Sequence, residues 1–171
     1  MNHLVLEELF KDTAASDLAA GREAIHYLEL LIEKHTTKRL ADAAYDELFA
    51  GRHTLLPLQL TAQDLTNIKY FLFYLLMNYP DRSAATARCL VKCYDKTLVE
   101  GACRAIDAYW QQCDETTCHL TDVITHSGSF EDFGDRVLPL FRKLKEEGLP
   151  ETRKSMAAKF AYYKKFYGLA E

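Results

Sequence analysis

Glycine and proline are scarce in this 171-residue chain, at seven and four residues. A many-stranded fold needs Gly, Asn or Pro at frequent hairpin turns, so the shortage removes most β architectures and favours helices. The common fingerprints of hydrolases, nucleotidases and dinucleotide enzymes are also missing: the sequence has no GxSxG elbow, no GxxxxGK[ST] loop and no GxGxxG. Those absences narrow the enzyme classes without excluding catalysis. At the amino end, MNHLVLEELFKD carries acids where a secretory leader has its positive region, and no long apolar segment follows. A cytosolic protein is expected. The five cysteines (Cys89, Cys93, Cys103, Cys113 and Cys118) agree with it, because a secreted disulfide framework usually uses an even number.

What is present is the composition of an ordinary globular protein, 49% hydrophobic and 27% charged, with a net charge of −4. Such a balance supports a packed core and argues against extended disorder. The length matches one domain, and a single helical domain over residues 1–171 is the expectation.

The longest uncharged apolar run is Tyr70 to Met77, YFLFYLLM, within TAQDLTNIKYFLFYLLMN at 61–78. A helix that is apolar all round needs cover on most of its circumference, so this one is expected at the centre of the fold with Phe71, Leu72, Leu75 and Leu76 buried. Lys69 and Asn78 bound it well short of the about 20 apolar residues that span a bilayer, so no membrane partner is expected.

Helical periodicity recurs elsewhere. Leu4, Leu6, Leu9 and Phe10 make a first stripe, and Ala24, Ile25, Leu28, Leu31 and Ile32 a second. Thr37 is placed to cap a third helix running to Gly51, Thr61 with Asp64 forms a capping box, and Ser83 and Thr97 are further cap candidates. A short helix to His126 precedes the break Ser127-Gly128-Ser129. Next come a stripe from Phe130 to Leu144, interrupted by Gly134 and Pro139, and a last helix from Pro150 to Gly168. The count predicts an all-α bundle or short α-α stack of eight or nine helices. No motif recurs at solenoid spacing.

The sharpest chemical candidate is Cys118, His119, Asp122 and His126, with Cys113 just before. On a helix, His119, Asp122 and His126 fall at i, i+3 and i+7, and imidazole with carboxylate suits zinc or iron. A metal-dependent helical enzyme with Glu115 or Asp114 as base is therefore the alternative reading. Neither HExxH nor a paired CxxC supports it, so a solvated helix face is preferred and no cofactor is expected. Cys89, Cys93 and Cys103 are assigned to packing.

Charge is unevenly distributed. Between Gln112 and Asp135 lie Asp114, Glu115, Asp122, Glu131, Asp132 and Asp135 with no Lys or Arg, whereas the chain from Arg136 onward is net basic. Segregation of this kind can steer a charged partner. The last helix interleaves Lys159, Lys164 and Lys165 with Phe160, Tyr162, Tyr163, Phe166 and Tyr167. Direct nucleic-acid binding is nonetheless disfavoured, because its usual footprint is a basic domain. The sequence thus points to a small cytosolic protein-binding module using the six acids as its surface. An inhibitor of immunity type that neutralises a basic partner is one specific form.

Overall fold

The computed structural model describes residues 2–38, 40–127 and 130–167, without the side chains of Asn2, Asp42, residues 130–133, Tyr163, Lys164, Phe166 and Tyr167. The protein is all-α: 80% of it is helical, and the described residues contain nine α-helices and no strand. The helices are α1 (Asn2–Thr13), α2 (Leu18–Thr36), α3 (Asp42–Leu48), α4 (Ala62–Asn78), α5 (Ser83–Val91), α6 (Val99–Tyr109), α7 (Asp114–His126), α8 (Phe130–Glu147) and α9 (Pro150–Tyr167). They fall into two compact units, Met1–Tyr94 and Asp95–Glu171.

In the first unit α2 is the hub, packed against α1 and α5, and α4 packs against α5. Its stripe Ala24, Ile25, Leu28, Leu31 and Ile32 is fully buried, as three- and four-residue spacing requires of one helix face. The carboxylate of Asp17 starts the helix by accepting hydrogen bonds from the backbone N–H groups of Ala19 and Ala20 at 2.8 and 3.1 Å. Along the seam with α5, the nearly buried Glu29 and Glu33 meet Arg88 at 3.2 Å and Lys92 at 2.8 Å. Cys89 and Cys93 are buried beside these pairs, and burial, the largest influence, pushes the Cys89 thiol well above its ordinary value. Both act as small apolar groups, which is the packing role expected of them.

Arg82 closes the corner between α1 and α2. Only 4% exposed, it donates from Nη1 to the carbonyls of Thr13 at 2.6 Å and Ala15 at 3.1 Å, satisfying backbone acceptors left over at the end of α1. Gly21 makes room for it: a Cβ there would run into Nη1 and would lie 3.0 Å from the Thr13 carbonyl.

The expected capping box of α4 is complete: Asp64 N–H donates to Thr61 Oγ1 at 3.1 Å and Thr61 N–H to Asp64 Oδ2 at 2.8 Å. Three other caps differ from expectation. Thr37 ends α2 instead of starting α3, whose N-cap, Ala41, has no side-chain bond. Ser83 is the first residue of α5, and its hydroxyl donates to the Pro80 carbonyl at 2.8 Å. Before α6, Asp95 accepts from Thr97 N–H at 2.9 Å and caps the short turn Lys96–Leu98, while the N-cap of α6 itself is Leu98, with no side-chain bond, in place of the expected Thr97. Ser, Thr and Asp are interchangeable as cap signals, and local spacing alone does not choose between neighbours.

The second unit pairs α6 with α7 and α8, and α9 with α7 and α8. Ala102, Ile106, Leu120, Val123, Val137, Phe141, Leu144 and Met156 fill the space between them. Phe141 meets Phe160 edge to face at 6.5 Å, joining α8 to α9. Pro139 sits inside α8, and the helix runs through it without a break. Cys103 is buried, in keeping with its packing role. Gly128, Ser129 and Gly168, read as helix breaks and an end, lie outside the described residues.

Candidate functional site

The six acids expected to form a binding surface have different fates. Asp114, the first residue of α7, spends its carboxylate on α9: Oδ1 accepts from Thr152 N–H and Oγ1, and Oδ2 from Glu151 N–H at 2.8 Å. Asp122 Oδ1 is 2.8 Å from the ammonium of Lys159, which also donates to Thr121 Oγ1 at 2.5 Å. These two carboxylates tie α7 to α9. Glu115 is 71% exposed, with one oxygen 3.8 Å from His119 Nε2, and Asp135 is exposed on α8. The side chains of Glu131 and Asp132 lie outside the described residues.

The proposed metal ligands share α7, so the i, i+3, i+7 spacing puts them on one face, but Asp122, His126 and Cys118 each have a polar neighbour outside the proposed ligand side chains. His119 Nδ1 is 3.9 Å from Asp122 Oδ2, whose other oxygen faces Lys159. His126 Nδ1 is 2.8 Å from the Asp122 carbonyl. Cys118 Sγ lies 3.7 Å from Thr152 Oγ1, and burial, the largest influence, raises its pKa above the ordinary thiol value, away from the thiolate a metal requires. Cys113 Sγ accepts from Thr116 Oγ1 at 3.0 Å. Among the described residues no group of three or more His, Cys, Asp or Glu side chains is placed to hold a metal ion.

The feature that sequence reasoning misplaced is α4. Leu72, Leu75 and Leu76 are buried as expected, Ile68 is buried with them, and Phe71, also expected to be buried, is only half-buried. The helix is not covered all round. Gln63, Asn67, Tyr70, Tyr74 and Met77 recur at alternating spacings of four and three, form one stripe, and face outward. Tyr70 is 74% exposed, Tyr74 53% and Met77 54%. The stripe holds no charge along its whole length, although the outer face of a surface helix is ordinarily charged or polar.

The aromatic part of this face is held in place from below. Phe71 stacks on Phe10 of α1 with ring centroids 4.1 Å apart and planes inclined by 22°, and Tyr74 lies 6.2 Å from Phe71. Tyr79 meets Tyr74 edge to face at 6.3 Å, while the Arg82 guanidinium lies 5.2 Å from the Tyr79 ring. A signal for the open face was present in the sequence: eight uncharged residues make more than two turns, so on a surface helix several must point to water.

The chain matches no family model, no curated protein and no solved structure among those compared.

Proposed function

We propose that this chain is a protein-binding module and that the open face of α4 supplies its contact. The observation that carries the proposal is the exposure of Tyr70, Tyr74 and Met77 on one uncharged stripe. Contiguous exposed apolar surface marks sites of association, and tyrosine is among the residues that dominate binding energy when a partner buries it. Because Tyr74 lies against the rings of Phe71 and Tyr79, less side-chain freedom remains to be lost on binding.

The acidic segment has a smaller part in this reading. With Asp114 and Asp122 engaged inside their own unit, Glu115 and Asp135 are the described acids left to steer a basic partner. An inhibitor of immunity type toward such a partner is the specific form that those two residues support. The competing metal-dependent enzyme draws little support, because the Asp122 carboxylate is directed at Lys159.

The test is affinity purification from the source cell under mild conditions, with mass spectrometry of retained protein and elemental analysis of the same sample. Stoichiometric retention of a protein, lost with Tyr70→Ser/Tyr74→Ser and kept with Glu115→Lys/Asp135→Lys, is the expected result. Retention of a transition metal with no protein would overturn the reading in favour of the enzyme.

A further inference from the structure

We infer that His35 is a latch, holding the chain where it enters α4 while its ring is neutral and releasing it when the ring takes up a proton. The device stands apart from whatever the α4 face binds. His35 lies half-buried in the last turn of α2, and both of its ring nitrogens are engaged. Nδ1 is 2.8 Å from the Leu31 carbonyl oxygen, and Nε2 accepts from the Leu60 backbone N–H at 3.0 Å. A carbonyl only accepts and a backbone N–H only donates, so the two contacts together select one form of the ring: neutral, with its proton on Nδ1 and a lone pair on Nε2.

Protonation keeps one contact and destroys the other. An imidazolium carries N–H on both nitrogens, so Nδ1 still serves Leu31 while Nε2–H meets the Leu60 N–H donor to donor. Leu60 is half-buried and directly precedes Thr61, the N-cap of α4. The rest of the connection has its own anchors: Lys34 Nζ donates to the Leu56 carbonyl at 3.1 Å, and Leu55 and Leu58 are buried. Release is therefore confined to Leu60 and the first turn of α4.

The acids on the elements that meet here are committed elsewhere or face water. Glu33 of α2 pairs with Lys92 at 2.8 Å, Asp64 of α4 is taken up by Thr61 in the capping box, and Asp46 and Glu47 of α3 are exposed. The cations are Lys34 and, on the connection, Arg52, which pairs with Asp12; the connection also carries the exposed His53.

Nuclear magnetic resonance of the full chain between about pH 5 and about pH 8, the range in which histidine changes charge, tests the latch. At the upper end the ring nitrogen shifts should show His35 with its proton on Nδ1. As the ring titrates, hydrogen-exchange protection of the Leu60 amide should fall by about two- to tenfold, the range for one net hydrogen bond. Leu58, whose N–H donates to the Leu55 carbonyl at 3.2 Å, should keep its own protection. His35→Gln offers an acceptor that does not titrate, so Leu60 should stay protected throughout; His35→Leu offers none and should leave Leu60 weakly protected at every pH. If the leucine variant fails to fold, the glutamine variant decides. A neutral ring with its proton on Nε2 overturns the latch, as does Leu60 protection in the wild type that is flat with pH. An equal loss at Leu58 overturns it too, because that is general loosening. So does a fall that persists in His35→Gln, which would put the titrating group elsewhere, at His53 for example.

Discussion

Asp114 and Thr152 are joined by two hydrogen bonds to one oxygen: Asp114 Oδ1 accepts from the Thr152 backbone N–H at 2.6 Å and from its hydroxyl at 2.5 Å. Oδ2 accepts from the Glu151 N–H at 2.8 Å. The first N–H groups of a helix have no intrahelical partner, so a side chain from α7 provides the N-terminal cap that α9 lacks locally. Burial acts to raise the Asp114 pKa and is the largest single influence. The Thr152 hydroxyl and the two backbone N–H groups together outweigh it, and the carboxyl is held below its ordinary 3.8.

Asp114→Ala should therefore destabilise the protein by about 1–3 kcal/mol, the range for losing bonds to a charged acceptor. A folded pKa below the unfolded one means that the contribution is fully present above about pH 3.8 and is lost as pH falls through the depressed folded value. Asp114→Asn should flatten that acid limb in urea titrations between pH 2 and 5. Unchanged stability in both variants would show that the cap is energetically idle. Charge reversal at this position reports on capping, so any test of electrostatic steering has to leave Asp114 alone.

The α7–α9 connection also shows what was legible in the sequence. Period and breakers marked the helices: Leu28, Leu31 and Ile32 repeat at helical spacing, Pro80 follows α4, and Pro150 opens α9. The Thr61–Asp64 box was visible because both partners lie within one turn. Asp114 was not recognisable as a cap, since its partners are separated from it by 37 and 38 residues and only packing brings them together. Asp122 gave no sign of Lys159 for the same reason. The face of Tyr70, Tyr74 and Met77 was legible only in part: the length of the uncharged run hinted at it, but hydrophobicity says that a residue prefers cover, not whether a neighbouring helix provides it.

The two sides of α4 should respond oppositely to truncation. Leu75 is fully buried, and Leu75→Ala should cost about 2–5 kcal/mol through lost transfer energy and the cavity left behind. Tyr70→Ser, at a position 74% exposed, should change stability by about 0.5 kcal/mol or less. Chemical denaturation of both variants measures the contrast. Comparable losses would mean that the tyrosine face is covered within the chain.

Gly21 should not tolerate a side chain. The added methyl group of Gly21→Ala would collide with the Arg82 guanidinium and press on the Thr13 carbonyl, so Arg82 would have to surrender its bonds at the end of α1. Overpacking of this kind costs about 1–3 kcal/mol. Combining Gly21→Ala with Arg82→Ala should give a loss smaller than the sum of the two single losses, because the second removes what the first strikes. Strict additivity would sink the contact as the cause.

Tyr45 carries the opposite prediction. Its ring is buried against Phe49 at 6.5 Å, while its hydroxyl is buried with no hydrogen-bond partner among the described residues. A lone buried hydroxyl costs free energy that a phenyl ring does not, so Tyr45→Phe should leave stability unchanged or raise it by about 1 kcal/mol. A clear loss in melting temperature would reveal a partner for the hydroxyl.

The last prediction separates an ion pair from a metal centre at Asp122. Lys159 Nζ lies 2.8 Å from Asp122 Oδ1 and is itself only 14% exposed, so the carboxylate already has a cationic partner held between α7 and α9. Removing that partner with Lys159→Met should lower stability on the order of 1 kcal/mol, the range of a partly screened charged hydrogen bond. A chelator should leave the melting temperature of the wild type where it was. His119→Ala/His126→Ala should remain folded with unchanged elemental content, because neither ring is committed to a shared ion. Near-stoichiometric zinc or iron in the wild type that disappears in this double variant, with the helical spectrum intact, would displace the ion-pair assignment and restore His119, Asp122 and His126 as ligands.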